Sequence, residues 1–195
     1  MTDAEFAEKF AGYRELLIGC GRSRDKRIDP GGAPRAWQNL TTLDSNEDVK
    51  PDVVLDLEVD HLSDHFGEDV FNEVHAYEVL EHLGRQGDAI EFFITFADIW
   101  RVLKPGGFLC GTCPSRFSEW LWGDPGHTRA ILPVCLKFLS QPFYDQCDGP
   151  RPTAASDYRA IWQGDFEIIR SHDDHTLHWF VLQAIKPPRG RKNGR

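Results

Sequence analysis

Short apolar runs divided by turn residues, and one long amphipathic stretch, organise the chain. Glu15 to Ile18 is a brief apolar run that enters Gly19. Residues 37–43 form a second run ending at Asp44, and Pro51 introduces DVVLDL at 52–57, whose β-branched centre suits a strand buried on both faces. Residues 71–77 predict a fourth strand. Between 88 and 103, Ile90, Phe93, Ile94, Ala97 and Arg101 recur at helical spacing, and Phe92, Phe96, Ile99 and Trp100 widen the apolar face, which predicts a buried crossover helix. Pro105-Gly106-Gly107 stops it ahead of a fifth strand at 108–113. Two more strands, 166–170 and 177–185, face each other across SHDDHT as an antiparallel hairpin. At the N-terminus Thr2 caps a helix over about 3–12, with Glu5 three residues on and Phe6, Ala7 and Phe10 on one face.

Two stretches break the rhythm. After Gly21 the segment RSRDKRIDPGGAP is charged and interrupted by Pro30, Gly31, Gly32 and Pro34, so the first crossover lacks a long helix. Residues 114–163 carry aromatic bends (Phe117, Trp120, Trp122, Phe143, Tyr144, Tyr158, Trp162) among six prolines. An insertion after a fifth strand lies at the C-terminal edge of an open α/β sheet, where ligands bind, and this one is expected to be a substrate lid.

With 195 residues, 41% hydrophobic and 27% charged, the composition is that of one globular domain. No apolar run reaches the roughly 18 residues of a membrane span, and the acidic start MTDAEFAEKF is unlike a signal peptide, so a cytoplasmic location is expected. Five cysteines without a secretory signal imply reduced thiols. Cys110 and Cys113 form a C-x-x-C, but on a strand they point to opposite faces and share neither a metal nor a disulfide. The net charge is −9, and the tail 186–195 holds five basic residues, leaving 17 basic against 31 acidic before it. Such a body repels polyphosphates, while the tail is expected to be a solvated, disordered end.

Three segments carry the chemistry: LLIGCG at 16–21, EVLEHLG at 78–84 and RVLKPGGFL at 101–109. In that order and spacing they resemble the class I S-adenosylmethionine-dependent methyltransferases, a likeness that covers about residues 14–113. The resemblance implies a single α/β, Rossmann-like domain over 1–185, with a seven-stranded mixed sheet, an antiparallel C-terminal hairpin, the 114–163 lid and a shortened first crossover. The cofactor it implies is S-adenosyl-L-methionine. Ser23 stands where a third glycine of a dinucleotide loop would be, and a broken helix removes the anion site that a pyrophosphate needs. A sulfonium cofactor has no phosphate to place.

By the same resemblance Gly19, Cys20 and Gly21 pass beneath the cofactor, Asp44 with Ser45 takes the ribose hydroxyls, and Asp56 or the Leu57 backbone takes the adenine amino group. Read as residues alone, Asp44 is equally a turn former and Asp56 a strand terminator. Tyr77 and Glu78 end the fourth strand, the junction that in the family underlies the methionine part and the transferring methyl. Glu81 and His82 follow, either at that junction or on an ordinary helix surface. DPGHTR at 124–129 resembles a D-P-x-H-x-R stretch of some small methyltransferases; there His127 is a candidate general base, or the cap of a helix over 128–139. His127 and Glu78 are the catalytic candidates. No metal site is expected: the run His172 to His178 reads as solvated turn residues on a hairpin connection far from the C-terminal sheet edge.

The acceptor is constrained by absence. No Asn/Asp-Pro-Pro-Tyr/Phe follows the fourth strand, and Cys113-Pro114 reverses the Pro-Cys order of cytosine-C5 enzymes. With the acidic body, this leaves an oxygen or nitrogen of a small molecule, glycan or protein, with nucleic acid and membrane not expected. The rival readings are a non-catalytic cofactor-binding module of the same fold and a nicotinamide oxidoreductase.

Overall fold

A computed structural model describes residues 10–32, 34–147 and 155–190. Its sheet has seven strands: β1 (Glu15–Ile18), β2 (Leu40–Asp44), β3 (Val53–Val54), β4 (Phe71–Tyr77), β5 (Leu103–Pro114), β6 (Phe166–Asp173) and β7 (Leu177–Ala184). They lie in the order β3-β2-β1-β4-β5-β7-β6, the first five parallel and β7 antiparallel to both β5 and β6. This is the α/β sheet with the antiparallel hairpin beside the fifth strand that the resemblance implies. The helix predicted over 3–12 falls almost wholly outside the described residues.

Alternation sorts the side chains onto two faces. Leu16, Ile18, Val74, Ala76, Leu109 and Cys113 enter the larger core, while Leu17, Tyr77, Cys110 and Val181 form a smaller one on the opposite face. Cys110 and Cys113 therefore do part to opposite faces, and both thiols are free and buried. The larger core is roofed by α1 (Leu62–Phe66) and α2 (Ala89–Val102). Asp88 caps α2 by accepting from Glu91 N at 3.1 Å, and Asp98, almost fully buried, accepts from Leu62 N and Ser63 N to fix the start of α1. The buried stripe of α2 is Phe93, Phe96, Ile99 and Val102; Ile90 is 57% exposed and Ile94 also faces out, so the helix is amphipathic and not buried all round.

Several predicted boundaries move. β2 begins at Leu40, and β3 shrinks to two residues because residues 55–60 turn back on Asp56 O, which accepts from Val59 N and Asp60 N. β5 begins at Leu103, directly after α2. Pro105-Gly106-Gly107 forms an irregularity within it, between the Phe71↔Leu103 and Glu73↔Phe108 pairs.

Among the described residues no α-helix covers the second face. Residues 21–32 and 34–39 cross it as a loop, as the broken first crossover predicts, and a buried polar network holds them there. Glu15 and Glu73, neighbours in the β1–β4 register, are both fully buried, and Lys26 Nζ sits between them at 2.6 and 2.7 Å. His75 Nε2 meets Glu73 at 2.6 Å, Tyr13 OH donates to Glu73 at 2.6 Å, and Gln38 N donates to Glu15 at 2.6 Å. Burial works to raise the Glu73 carboxyl, but the bonds from His75, Lys26 and Tyr13 outweigh it and hold it below the usual carboxylate range.

The 114–163 segment divides. Short helices α3 (Trp120–Gly123) and α4 (Pro133–Lys137) break it. Among its described residues from Ile131 on, Leu136, Leu139, Tyr144 and Trp162 are fully buried in the core, and Trp162 stacks on Phe93 and Phe166. The first residues of the basic tail are likewise held, Arg189 by Asp165 at 2.7 Å and Lys186 by Asp69 at 2.5 Å; residues 191–195 lie outside the description. Among the described residues no helix is long and apolar enough to cross a membrane.

Candidate cofactor cleft and the cluster beside it

A cleft of about 330 Å³ opens at the C-terminal ends of β1, β2 and β4, lined by Gly19, Asp44, Ser45, Asp56, Leu57, Glu78, Val79 and His82 among others. Strand ends at the reversal of strand order are where open α/β sheets bind ligands. Gly19 has φ +57°, and a Cβ there would lie 2.4 Å from Val79 Cγ2, so the floor closes only over a glycine. Asp44 ties the loop to β2: Gly21 N donates to Oδ2 at 2.8 Å, and Asn46 N donates to Oδ1 at 2.9 Å in an Asx turn. Asp44 is thus a turn former and a cleft residue together, each oxygen keeping a second lone pair for a ligand. Asp56 accepts from Glu58 N at 3.0 Å and faces the same cleft. Glu78 holds a positive φ of 57° at the end of β4, an uncommon conformation for a side-chain-bearing residue, and pairs with Arg27 at 2.9 Å.

Two cofactor candidates send their side chains elsewhere. Tyr77 points to the second face, where its hydroxyl accepts from Arg27 N at 3.1 Å and Ile28 N at 3.2 Å and meets His75 Nδ1 at 2.6 Å; it holds the crossover loop, not a ligand. Burial pushes its hydroxyl far up, out of the titrating range. The Cys20 side chain is also buried in the second core, leaving only its backbone at the loop. Both side-chain placements follow from parity: residues beside Gly19 and Glu78 must alternate faces.

Next to the cleft, the segment after α3 folds back onto the β4 junction. Glu81 O accepts from Thr128 N at 2.9 Å and from Arg129 N at 3.1 Å. This brings His127 to His82, their rings edge to face at 4.7 Å, and both to the fully buried Glu81. One donor atom from each of the three lies within 4.8 Å of the others. Glu81 and His82 sit in a short 3₁₀ turn (Leu80–His82), not on an exposed helix surface. His127 caps no helix, as α4 starts only at Pro133. Its Nε2 lies 4.0 Å from Asp124 Oδ2, and its Nδ1 is buried without a hydrogen-bond partner. Arg129 turns away from the cleft, donating to Arg85 O and Asp88 O and lying over Phe92.

The hairpin connection is also placed differently from expectation. Because β7 runs antiparallel to β5, Leu177 pairs with Pro114, which puts residues 174–176 at the C-terminal edge of the parallel strands. His178 in that run is fully buried, with Nδ1 donating to Ile131 O at 3.0 Å.

No protein-family model and no curated protein matches the sequence. Solved structures do. A SAM-dependent methyltransferase from Archaeoglobus fulgidus superposes with a TM-score of 0.52 at 14% identity, over 92% of this chain and 91% of that one. The N-methyltransferase NodS from Bradyrhizobium japonicum WM9 gives 0.53 at 11%, over 95% and 100%. The fold is that of the class I S-adenosylmethionine-dependent methyltransferases. A third structure with this methyltransferase fold, a 16S rRNA (adenine(1408)-N(1))-methyltransferase from Catenulisporales acidiphilia with SAM, gives 0.51 at 12%, over 97% and 94%. Acceptors across the fold thus include ribosomal RNA, so the fold does not choose an acceptor class.

Proposed function

We propose that the protein transfers a methyl group from S-adenosyl-L-methionine to an oxygen or nitrogen of a small-molecule, glycan or protein acceptor. The observation that carries this reading is the cleft itself: a glycine floor that excludes a Cβ, with the Asp44 and Asp56 carboxylates at adjacent strand ends. Acidic side chains suit ribose hydroxyls and an adenine amino group, and the missing crossover helix suits a ligand with no phosphate. Gly19, Gly21 and the Cys20 backbone lie under the cofactor, Asp44 and Ser45 at the ribose, and Asp56 and Leu57 at the adenine.

Methyl transfer is an in-line displacement on a carbon activated by the sulfonium, so the chain's work is to position the acceptor and take its proton. Glu78 at the cleft and His127 beside it are the proton acceptors this reading assigns. The acidic body, at −9 overall, favours an acceptor other than nucleic acid.

Differential scanning fluorimetry tests cofactor choice. S-adenosylmethionine and S-adenosylhomocysteine should raise the melting temperature and NAD, NADP and FAD should not, with about 2.7 kcal/mol of stabilisation at a hundredfold excess over Kd. Stabilisation by NADH alone sinks the reading. S-adenosylhomocysteine formation with an acceptor separates an enzyme from a binding module that has the same thermal response.

A further inference from the structure

We propose that Glu81, His82 and His127 bind one divalent transition-metal ion at the wall of the cleft, and that this ion holds a hydroxyl oxygen of the methyl acceptor. Three observations on the chain converge. Glu81 is fully buried, neither carboxylate oxygen makes a well-formed hydrogen bond, and burial pushes its carboxyl up against the weaker opposing pull of its own backbone N–H and the Cys113 thiol. A buried carboxyl without donors either keeps a proton or is ionised against a cation, and a metal ion displaces that proton. His127 Nδ1 is buried and unpartnered as well. The third observation is tautomer control: His82 Nδ1 lies 2.9 Å from Gly126 O, so it must donate there, and Nε2 is the nitrogen left with the lone pair. Asp124 Oδ2 stands 4.0 Å from His127 Nε2, near enough to attract the ring but not hydrogen-bonded to it.

The His82 contact is that of a metal site's supporting shell: a carbonyl holds one ring nitrogen, which leaves the other for the ion. Donor atoms within 4.8 Å of one another reach a common ion at about 2.0–2.2 Å with movements on the order of 1 Å. Two imidazoles and one carboxylate suit zinc, manganese, iron or cobalt rather than calcium, which takes oxygen ligands. Three protein ligands leave a coordination position open.

His82 belongs both to this cluster and to the cleft lining, so the open position faces the cofactor side. An acceptor hydroxyl that coordinates there loses its proton to water more readily. Its oxygen then attacks the methyl carbon, and the C–S bond breaks with its electron pair returning to sulfur as the neutral thioether. In this arrangement His127 is a ligand, and the proton-accepting role it has without an ion passes to solvent. The role in acceptor binding rests on the methyl-transfer reading; the binding of the ion does not.

The test uses full-length protein without a histidine tag, stripped with chelator and titrated with Co²⁺ by visible absorption, and with Zn²⁺ and Mn²⁺ by equilibrium dialysis. One ion per chain is expected, with d–d bands that S-adenosylhomocysteine need not be present to produce. His82→Ala and His127→Ala should each weaken binding by at least about tenfold, as should Glu81→Gln, while His172→Ala on β6 should not. Because Glu81→Gln also changes a buried group, circular dichroism and the half-buried His82 variant keep the result readable. Less than one ion per five chains at about 1 mM free ion, or unchanged affinity in both histidine variants, overturns the site. A bound ion whose removal leaves methyl transfer to a hydroxyl acceptor unchanged overturns its acceptor role alone, and loss of cofactor binding overturns the methyl-transfer reading alone.

Discussion

Replacing Lys26 with methionine removes the cation between Glu15 and Glu73 while keeping the length of the stem. Both carboxylates are fully buried and the lysine is 3% exposed, so solvent cannot replace the ammonium. The same change removes a bond to Pro34 O at 2.9 Å and a cation–π contact over Trp37 at 5.1 Å, both of which hold the crossover loop. Breaking a buried pair by deleting one partner costs about 3–5 kcal/mol, a large part of a total of roughly 5–15. With a urea m value of about 2 kcal/mol/M, the unfolding midpoint at pH 8 should fall by about 2 M. One compensation is built in: Lys26 disfavours protonation of His75, so in the variant His75 takes up a proton at higher pH and part of the loss is recovered near pH 6. The triple change Lys26→Met, Glu15→Gln, Glu73→Gln, which removes the charges together, should recover most of the stability. Urea titrations at pH 8 and pH 6 read all three effects. A loss under about 1 kcal/mol at pH 8 with unchanged m refutes the claim that this network fixes the loop.

Further outcomes are expected. Asp44→Ala should fold but lose about 1.5–3 kcal/mol of cofactor affinity for each hydrogen bond to the carboxylate, measured by calorimetry; equal affinity in a folded variant leaves Asp44 only its Asx turn. Gly19→Ala forces a left-handed non-glycine residue and drives Val79 aside, costing about 1–2 kcal/mol from the backbone alone and abolishing the thermal response to S-adenosylhomocysteine; a normal response means the floor is not under the ligand. Acid should destabilise the protein in two stages. Burial depresses the pKa of His75, and of His178, below the unfolded value of about 6.5, so the unfolded state binds more protons and stability declines as pH falls below that value. The Glu73 contribution, present above about pH 4.3, is lost at still lower pH as its depressed folded pKa is crossed. Chemical unfolding from pH 8 to about 2 reads both stages, and a flat profile down to about pH 5 contradicts the first.

What could be read from the sequence was whatever depends on local period or on a forced backbone. β1 and β4 stand where their apolar runs place them, α2 between Asp88 and the Pro-Gly-Gly, and the glycine loop and Asp44 meet at the cleft. The Tyr77 side chain turns to the second face although its strand stands where expected, because adjacency to a site residue says nothing about face until parity is applied. The Ile90–Ile94 flank of α2 is exposed despite its apolar pattern, because an apolar residue on a helix does not announce which neighbour covers it. The edge that the hairpin connection occupies is not legible locally, because it depends on β7 reversing direction beside β5, a pairing more than sixty residues apart in sequence.

The two features with most consequence are both long-range assemblies of residues that look ordinary alone. Glu15, Lys26 and Glu73 are three charges in three separate segments, and only the β1–β4 register sets the two acids side by side. Like charges opposite one another in a sheet repel, so the register requires a cation, and the loop that replaces the crossover helix supplies it. A helix there would cover the second face with apolar contacts and present its N-terminus to an anion; the loop covers it with a pinned lysine and presents no such site. Glu81, His82 and His127 are joined in the same way, through the Glu81 carbonyl accepting from Thr128 and Arg129 across 47 and 48 residues. In both cases the backbone brings together groups that each carry an unmet electrostatic need. In the first the chain meets that need itself, with Lys26; in the second it leaves a buried carboxylate and an imidazole nitrogen without partners, which is the physical asymmetry that makes the cluster beside the cleft a site and the network beneath the loop a scaffold.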